Sequence, residues 1–146
     1  MERLKGIEDL RRLRQILRDE SRIAKDTIKV CCGLPCSTLG SLAVARELEA
    51  EASKSGLDVN IVKTGCQGFC QRGPLLQVDP YGYFYQRVRP EQAREIIGIT
   101  CGSGIPVREL LYRDSFLDDP KGFIREIPFY TKQMKVALRN TGAIDP

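Results

Sequence analysis

The sequence predicts an α/β fold in which a mixed sheet is flanked by helices. Two observations carry this prediction. Strand-like and helix-like segments follow one another in the order β-α-β and then β-β-α between residues 27 and 97, and two pairs of cysteines lie in glycine-rich loops beside the predicted strands. A β-α-β unit has parallel strands, whereas strands joined by a short turn run antiparallel. A single mixed sheet accommodates both the parallel and the antiparallel strand pairs.

The composition is that of one globular domain with an added arm. Of its 146 residues, 42% are hydrophobic and 29% are charged, which is typical of a globular chain. No apolar run reaches the roughly 18 residues of a membrane span, and the charged N-terminus has no signal-peptide pattern. We therefore expect a cytoplasmic protein without membrane insertion. The net charge of +4 is interspersed, so no nucleic-acid partner is expected.

The counts of cysteine and histidine restrict the chemistry. The chain has six cysteines and no histidine. In a reducing compartment, such cysteines favour metal binding or redox work over disulfides. Without histidine, the chain by itself cannot form a His-ligated zinc or haem site, a Rieske-type centre, or a Ser-His-Asp or Cys-His catalytic site. Any metal is therefore held mainly by sulfur.

The first predicted element is an amphipathic helix over residues 6–25. Its apolar side chains recur at helical spacing on one narrow stripe. They are Ile7, Leu10, Leu13, Ile16, Leu17 and Ile23. The stripe either packs on the chain's own domain or docks on a partner, and both interpretations stay open at this point.

The first half of the sheet is predicted to be a β-α-β unit with strands Thr27–Cys32 and Val59–Lys63. Ile28 and Val30 form the core face of the first strand, and the loop GLPCSTLG turns after it. Ser41 is expected to cap the connecting helix. This helix runs to about residue 55, ends at a glycine, and faces the core with Leu42, Ala45, Leu48 and Ala52.

The second half is predicted to be a hairpin followed by a helix. Strands Leu75–Asp79 and Tyr83–Val88 are joined by the turn sequence DPYG, which favours antiparallel pairing. Pro90 opens a helix that runs to about Ile97. This order of elements is the thioredoxin-like arrangement.

We therefore predict three segments. Residues 1–26 form the helical arm, residues 27–113 form the thioredoxin-like domain, and residues 114–146 form an extension. Within the domain, residues 98–106 are expected to be a loop. Within the extension, residues 114–128 are expected to be irregular. A last helix is expected over Phe129–Arg139, with apolar residues Met134, Val136, Ala137 and Leu138.

Four cysteines are candidate metal ligands. Cys31 and Cys36 form a C-x4-C pair after the first strand, and Cys66 and Cys70 form a C-x3-C pair after the second. Because parallel neighbouring strands place both loops at the same edge of the sheet, four sulfurs can converge there. Four thiolates can bind a [2Fe–2S] cluster. Backbone N–H groups near the loop glycines could approach the sulfurs and tune the potential; these glycines are Gly33, Gly65 and Gly68.

Other uses of these thiols are weaker predictions. A four-cysteine zinc site, serving as a structural module for subunit assembly, is the main alternative, but structural zinc usually takes C-x2-C pairs. Disulfides are disfavoured in a reducing cytosol. A thiol–disulfide oxidoreductase normally carries C-x-x-C before a helix. Cys32 is expected to point to the opposite face from its neighbour Cys31, and Cys101 is expected to be a free thiol.

The segments VCCGLPC and TGCQGFCQRGPLLQVDPYGYFYQRV resemble the thioredoxin-like [2Fe–2S] ferredoxin domain, over roughly residues 27–113. The form they resemble most is the N-terminal domain of NADH-oxidising flavoprotein subunits, as in the complex I flavoprotein subunit, multimeric iron-only hydrogenases and NAD-dependent formate dehydrogenases. The resemblance implies that Cys31, Cys36, Cys66 and Cys70 bind a [2Fe–2S] cluster.

The resemblance also implies a role and partners. The chain would be an electron carrier, not a catalyst, and would relay single electrons to or from a flavin or another cluster. Residues 127–146 resemble the lead-in to a flavin domain, so we expect a piece of a longer subunit. Partners would be flavin-, NADH- and iron–sulfur-binding subunits or domains, and these ferredoxins are often homodimers.

Overall fold

The computed structural model describes residues 5–23, 26–113, 120–137 and 139–140. Residues 114–119 of the predicted irregular stretch and Leu138 of the predicted last helix lie outside the described residues. So do the side chains of Leu17 and Ile23 in the apolar stripe. Within the described ranges, no helix combines the length and the apolar character that crossing a membrane requires.

The helices and strands follow the predicted order. The helices are α1 (Ile7–Ile23), α2 (Leu34–Thr38), α3 (Ser41–Ser55), α4 (Ala93–Glu95) and α5 (Pro128–Thr131). The strands are β1 (Asp26–Cys31), β2 (Val59–Thr64), β3 (Leu76–Asp79), β4 (Tyr83–Tyr85), β5 (Tyr112–Arg113) and β6 (Pro120–Lys121). Short 3-10 turns occupy residues 70–72, 90–92, 108–110 and 124–126. The predicted α/β class is confirmed.

The main sheet has four strands in the order β2-β1-β3-β4. Strand β1 pairs in parallel with β2, and Cys31 lies opposite Thr64 at the end of that ladder. Strand β3 runs antiparallel to both β1 and β4. The mixed sheet and the hairpin are thus confirmed, although β4 ends at Tyr85, three residues before the expected Val88. Strands β5 and β6 form a second, two-stranded antiparallel sheet.

Two hydrophobic cores lie on the sheet. The first contains the predicted Ile28 and Val30 together with α3 residues. The second contains Cys31, Cys36 and Phe84, and Tyr130 packs against it. Because successive strand residues alternate between faces, Cys31 joins the second core while Cys32 packs against the first. This confirms that the two adjacent thiols face opposite ways.

Helix α3 differs from the prediction at its start. Gly40, with φ of 95°, occupies the cap position, and Ser41 is instead the buried first residue of the helix without a capping hydrogen bond. The inward face is also rotated, since Leu42 is 42% exposed and Val44 is fully buried. A glycine takes the left-handed conformation at no steric cost, so the chain turns here without a serine cap. Gly56 ends the helix in the left-handed conformation, as expected.

Two further helical expectations are wrong in extent. The helix after Pro90 continues through a π-helical turn, Ile96–Cys101, where a loop was expected from residue 98. Four of its residues, Ile96, Ile97, Thr100 and Cys101, are buried, so packing extends the helix past Gly98. The last helix stops at Thr131, and residues 133–136 are irregular. Its predicted residues Met134 and Val136 are 89% and 74% exposed, so burial of these two side chains does not stabilise a longer helix.

The Tyr85 hydroxyl joins three elements of the first core. It lies 2.7 Å from the Thr100 hydroxyl, and the Val107 backbone N–H donates to it at 3.0 Å. Tyr85→Phe leaves this buried N–H without a partner, so we expect the free energy of unfolding to fall by about 1–3 kcal/mol. Chemical denaturation measures it. Tyr83→Phe is the matched control, because its hydroxyl donates to the Gly104 carbonyl in a half-buried position that water can reach. An equal loss in both variants would contradict the prediction.

Candidate metal centre

The pairing of β1 with β2 places both cysteine loops at one edge of the sheet. Cys31 is the last residue of β1, and Cys66 follows the end of β2 by two residues. Cys36 lies in α2, a short helix within the expected loop, and Cys70 begins the 3-10 turn. The Cys32 backbone N–H donates to the Thr64 carbonyl at 2.8 Å, which holds the two loops in register. The two cysteine loops therefore meet at one edge of the sheet, as expected.

The four sulfurs contact one another as two pairs. Cys66 Sγ lies 3.5 Å from Cys70 Sγ. The Cys31 thiol hydrogen-bonds to Cys36 and also reaches Cys66, and Cys70 interacts electrostatically with Cys31. Cys31 and Cys36 are buried, whereas Cys66 and Cys70 are half-buried. One pair therefore lies inside the second core and the other at its surface.

The thiols share protons unequally. The hydrogen bond from Cys36 lowers the pKa of Cys31 to about 6, against the opposing effect of burial. The same bond, together with burial, raises the pKa of Cys36. The hydrogen bond with Cys66 raises the pKa of Cys70. Within the buried pair, Cys31 thus gives up its proton readily while Cys36 retains one, and the thiolate is the form of cysteine that ligates a metal.

Backbone N–H groups point at the sulfurs. The Gly68 N–H donates to Cys66 Sγ at 3.3 Å. The Gln67 and Gly33 N–H groups hydrogen-bond to the Cys31 thiol and lower its pKa, and the Leu75 N–H does the same for Cys36. Sequence reasoning named Gly33 and Gly68 but missed Gln67 and Leu75, because every residue carries an N–H and only the folded backbone aims it. For Gly65, a donor role stays a prediction.

Two glycines leave room for the loops to approach. A Cβ at Gly33 would lie 2.7 Å from the Cβ of Cys66, and a Cβ at Gly73 would lie 2.7 Å from Cys36 Sγ. Both distances are shorter than van der Waals contact. Gly73 was not among the candidate residues, although the signal was present, since it closes the same glycine-rich turn.

A C-terminal segment, residues 120–131, folds back onto the second core and onto Phe69, which lies between Cys66 and Cys70 in the sequence. Phe129 stacks on Phe69 with ring centroids 4.4 Å apart. Tyr130 meets Phe84 edge-on at 5.5 Å, and Ile127 is fully buried in the second core. Phe129 and Tyr130 thus pack on their own domain, although Phe129 remains 36% exposed. Among the described residues that follow this segment, Met134 and Val136 have exposed apolar side chains.

The other two cysteines lie apart from this group. Cys101 is 3% exposed, and burial raises its pKa to about 12. Cys32 packs against the opposite core. Among the described residues, no three Cys, Asp or Glu side chains surround one point closely enough to hold a single metal ion.

A thioredoxin-like sheet with four thiols gathered at one edge is the arrangement expected of an electron-transfer iron–sulfur domain. Residues 18–100 match the family of the thioredoxin-like [2Fe–2S] ferredoxins, and the chain belongs to that family. The cofactor of the family is a [2Fe–2S] cluster. The fold and the cofactor implied by the sequence resemblance are both confirmed.

Similar proteins support this assignment. A [2Fe–2S] ferredoxin of Aquifex aeolicus is 39% identical over 51 residues, which is 35% of this chain and 46% of the relative. One from Clostridium pasteurianum is 29% identical over 77 residues, 51% of this chain and 76% of the relative. The chain thus spans just under half of the first relative and about three quarters of the second.

Solved structures agree on the fold. The crystal structure of the thioredoxin-like [2Fe–2S] ferredoxin from Aquifex aeolicus superposes with a TM-score of 0.55 at 26% identity, covering 60% of this chain and 95% of that one. A chain of an NAD⁺-reducing [NiFe]-hydrogenase matches with a TM-score of 0.48 at 14% identity, over 67% of this chain and 17% of that one.

Proposed function

We propose that Cys31, Cys36, Cys66 and Cys70 hold the [2Fe–2S] cluster, and that the chain relays single electrons to or from a flavin or a neighbouring cluster. The observation that carries this proposal is the meeting of two thiol pairs at one sheet edge, one buried and one half-buried. When bound, a [2Fe–2S] cluster accepts and releases one electron at a time.

The residues around the thiols fit such a centre. Four backbone N–H groups, from Gly33, Gln67, Gly68 and Leu75, point at sulfur. Each places partial positive charge where a reduced cluster gains negative charge, which stabilises the reduced form. The second core excludes water from the buried pair, while the half-buried pair faces the surface. We infer that electrons enter and leave on the side of Cys66 and Cys70.

The finer assignment is to an NAD(H)-dependent multisubunit oxidoreductase of the hydrogenase, formate dehydrogenase or complex I kind. The C-x4-C and C-x3-C motifs and the sequence of residues 127–146 support it. Exposed apolar side chains are also available for docking: Leu34 and Leu39 are 83% and 55% exposed beside the thiol loops. On α1, Ile7 is 70% exposed. We propose flavin- and iron–sulfur-binding partners for these surfaces, with a homodimer as the alternative.

We expect the loaded chain to accept electrons from a reduced flavin but not directly from NADH. NADH donates a hydride, which carries two electrons, whereas a [2Fe–2S] cluster takes one, so a flavin must split the pair. Anaerobic mixing with photoreduced free FMN should therefore bleach the visible spectrum and produce the EPR signal of a reduced cluster. NADH alone should do neither within the same time. Direct and rapid reduction by NADH would contradict the role of a pure one-electron relay.

A further inference from the structure

Two buried polar side chains beside the thiols have no hydrogen-bond partner. The hydroxyl of Tyr130 is inaccessible to solvent and unpartnered among the described residues. Gln67 is 3% exposed, and within the described part of the chain neither polar atom of its side-chain amide has a partner. A buried polar group without a partner costs about 1–3 kcal/mol, so such groups usually have one. Tyr130 packs against the core that contains Cys31 and Cys36, and Gln67 directly follows Cys66, so a group held by the four thiols would lie near both.

Tyr130 is positioned from three sides. Its ring meets Phe84, Phe69 and Phe129 edge-on, with centroid distances of 5.5, 6.1 and 5.1 Å. Burial raises the pKa of its phenol, and the charges of all four candidate ligand thiols raise it further. The hydroxyl therefore stays protonated and lies within electrostatic range of the four sulfurs. The O–H group can donate a hydrogen bond to the sulfur of a thiolate or a sulfide.

Gln67 connects the two cysteine loops. It follows Cys66 directly, and its backbone N–H hydrogen-bonds to the Cys31 thiol. Its side chain is buried, and its NH2 group has no acceptor among the described residues. A polar side chain in this position is not needed to fill space, since an apolar residue of the same size would avoid the cost of burial.

We propose that the Tyr130 hydroxyl and the Gln67 side-chain amide donate hydrogen bonds to sulfur atoms of the bound cluster and raise its reduction potential. This inference rests on the proposed ligand set. Reduction adds one negative charge to the cluster, and each donor stabilises that charge, so the reduced form gains more than the oxidised form. Both side chains are positioning and tuning groups and do not ligate iron.

The inference gives the C-terminal segment a function. Tyr130 lies beyond residues 18–100, the part that matches the ferredoxin family. It reaches the thiols because residues 120–131 fold back, with Ile127 buried and Phe129 stacked on Phe69. The potential of the cluster is therefore set partly by a segment outside the ferredoxin match, in the region that resembles the lead-in to a flavin domain.

The test is the midpoint potential of the reconstituted full chain in an EPR-monitored redox titration. Tyr130→Phe keeps the ring contacts and removes only the hydroxyl. We expect the ratio of reduced to oxidised cluster at a fixed potential to fall about tenfold, which for one electron is a shift of about 59 mV to more negative values. Gln67→Leu should shift the potential in the same direction. ENDOR of the reduced cluster in D2O should show an exchangeable proton in the wild type that Tyr130→Phe loses.

Tyr83→Phe is the matched control, because its hydroxyl donates to the Gly104 carbonyl on the side of the other core. Its potential should equal that of the wild type. If Tyr130→Phe and Gln67→Leu both load a cluster with the wild-type potential and the wild-type exchangeable protons, the inference is overturned. If the wild-type chain takes up no [2Fe–2S] cluster, the proposed ligand set fails instead. A variant that loads poorly still reports its potential and ENDOR spectrum from the loaded fraction.

Discussion

Replacing Cys66 with alanine should abolish stable binding of the [2Fe–2S] cluster. The Cys66 thiol belongs to the half-buried pair. Its Sγ lies 3.5 Å from Cys70 Sγ and accepts a hydrogen bond from the Gly68 N–H. Without it, only three of the four proposed thiolate ligands would remain to hold the cluster. We expect the visible absorbance, and the iron and acid-labile sulfide per chain, to fall to less than about a tenth of the wild type. The same holds for the other three candidate ligands.

The controls are the two cysteines that lie outside the group. Cys32→Ala and Cys101→Ala should keep the wild-type spectrum and iron content, because Cys32 packs on the opposite face of the sheet and Cys101 is buried in the π-helical turn. Some loss of stability is expected for Cys101→Ala from its burial. A wild-type spectrum in Cys66→Ala, or loss of the cluster in Cys32→Ala, would refute the ligand set.

Gly33→Ala should damage both the fold and the centre. The added Cβ would lie 2.7 Å from the Cβ and 3.0 Å from the Cα of Cys66. The Cα is backbone and cannot rotate away, so the two cysteine loops must separate. Overpacking of this kind costs about 1–3 kcal/mol, and the displaced Cys66 should lower cluster content well below that of the wild type. Chemical denaturation and iron analysis measure the two effects.

Gly98→Ala is the control, since it introduces the same methyl group into a helical turn. Nothing lies within 4 Å of a Cβ at this position, and alanine is a better helix former than glycine. We expect unchanged cluster content and a gain in stability of up to about 1 kcal/mol. The steric explanation would be wrong if Gly33→Ala kept full cluster content and stability.

The order of the elements and the candidate ligands could be predicted because each follows from local pattern. Alternating apolar residues such as Ile28 and Val30 identify a strand, and Pro80 and Gly82 identify the hairpin turn. The spacing of the four cysteines around two strands predicts their convergence once β1 and β2 are taken as parallel. The ends of elements were less predictable. The helix through Cys101 runs past Gly98 because packing in the first core outweighs the helix-breaking tendency of a glycine.

The sequence by itself determined the family, the mixed sheet and the four thiols that we propose as ligands, because these depend on residue type and spacing along the chain. Only the tertiary structure decided what surrounds the thiols. It brought Tyr130 to the second core from 60 residues beyond Cys70 in sequence, and it buried Gln67 without a partner. Contacts between distant segments depend on how they fold onto one another, and no local pattern encodes which hydroxyl or amide will face a given sulfur.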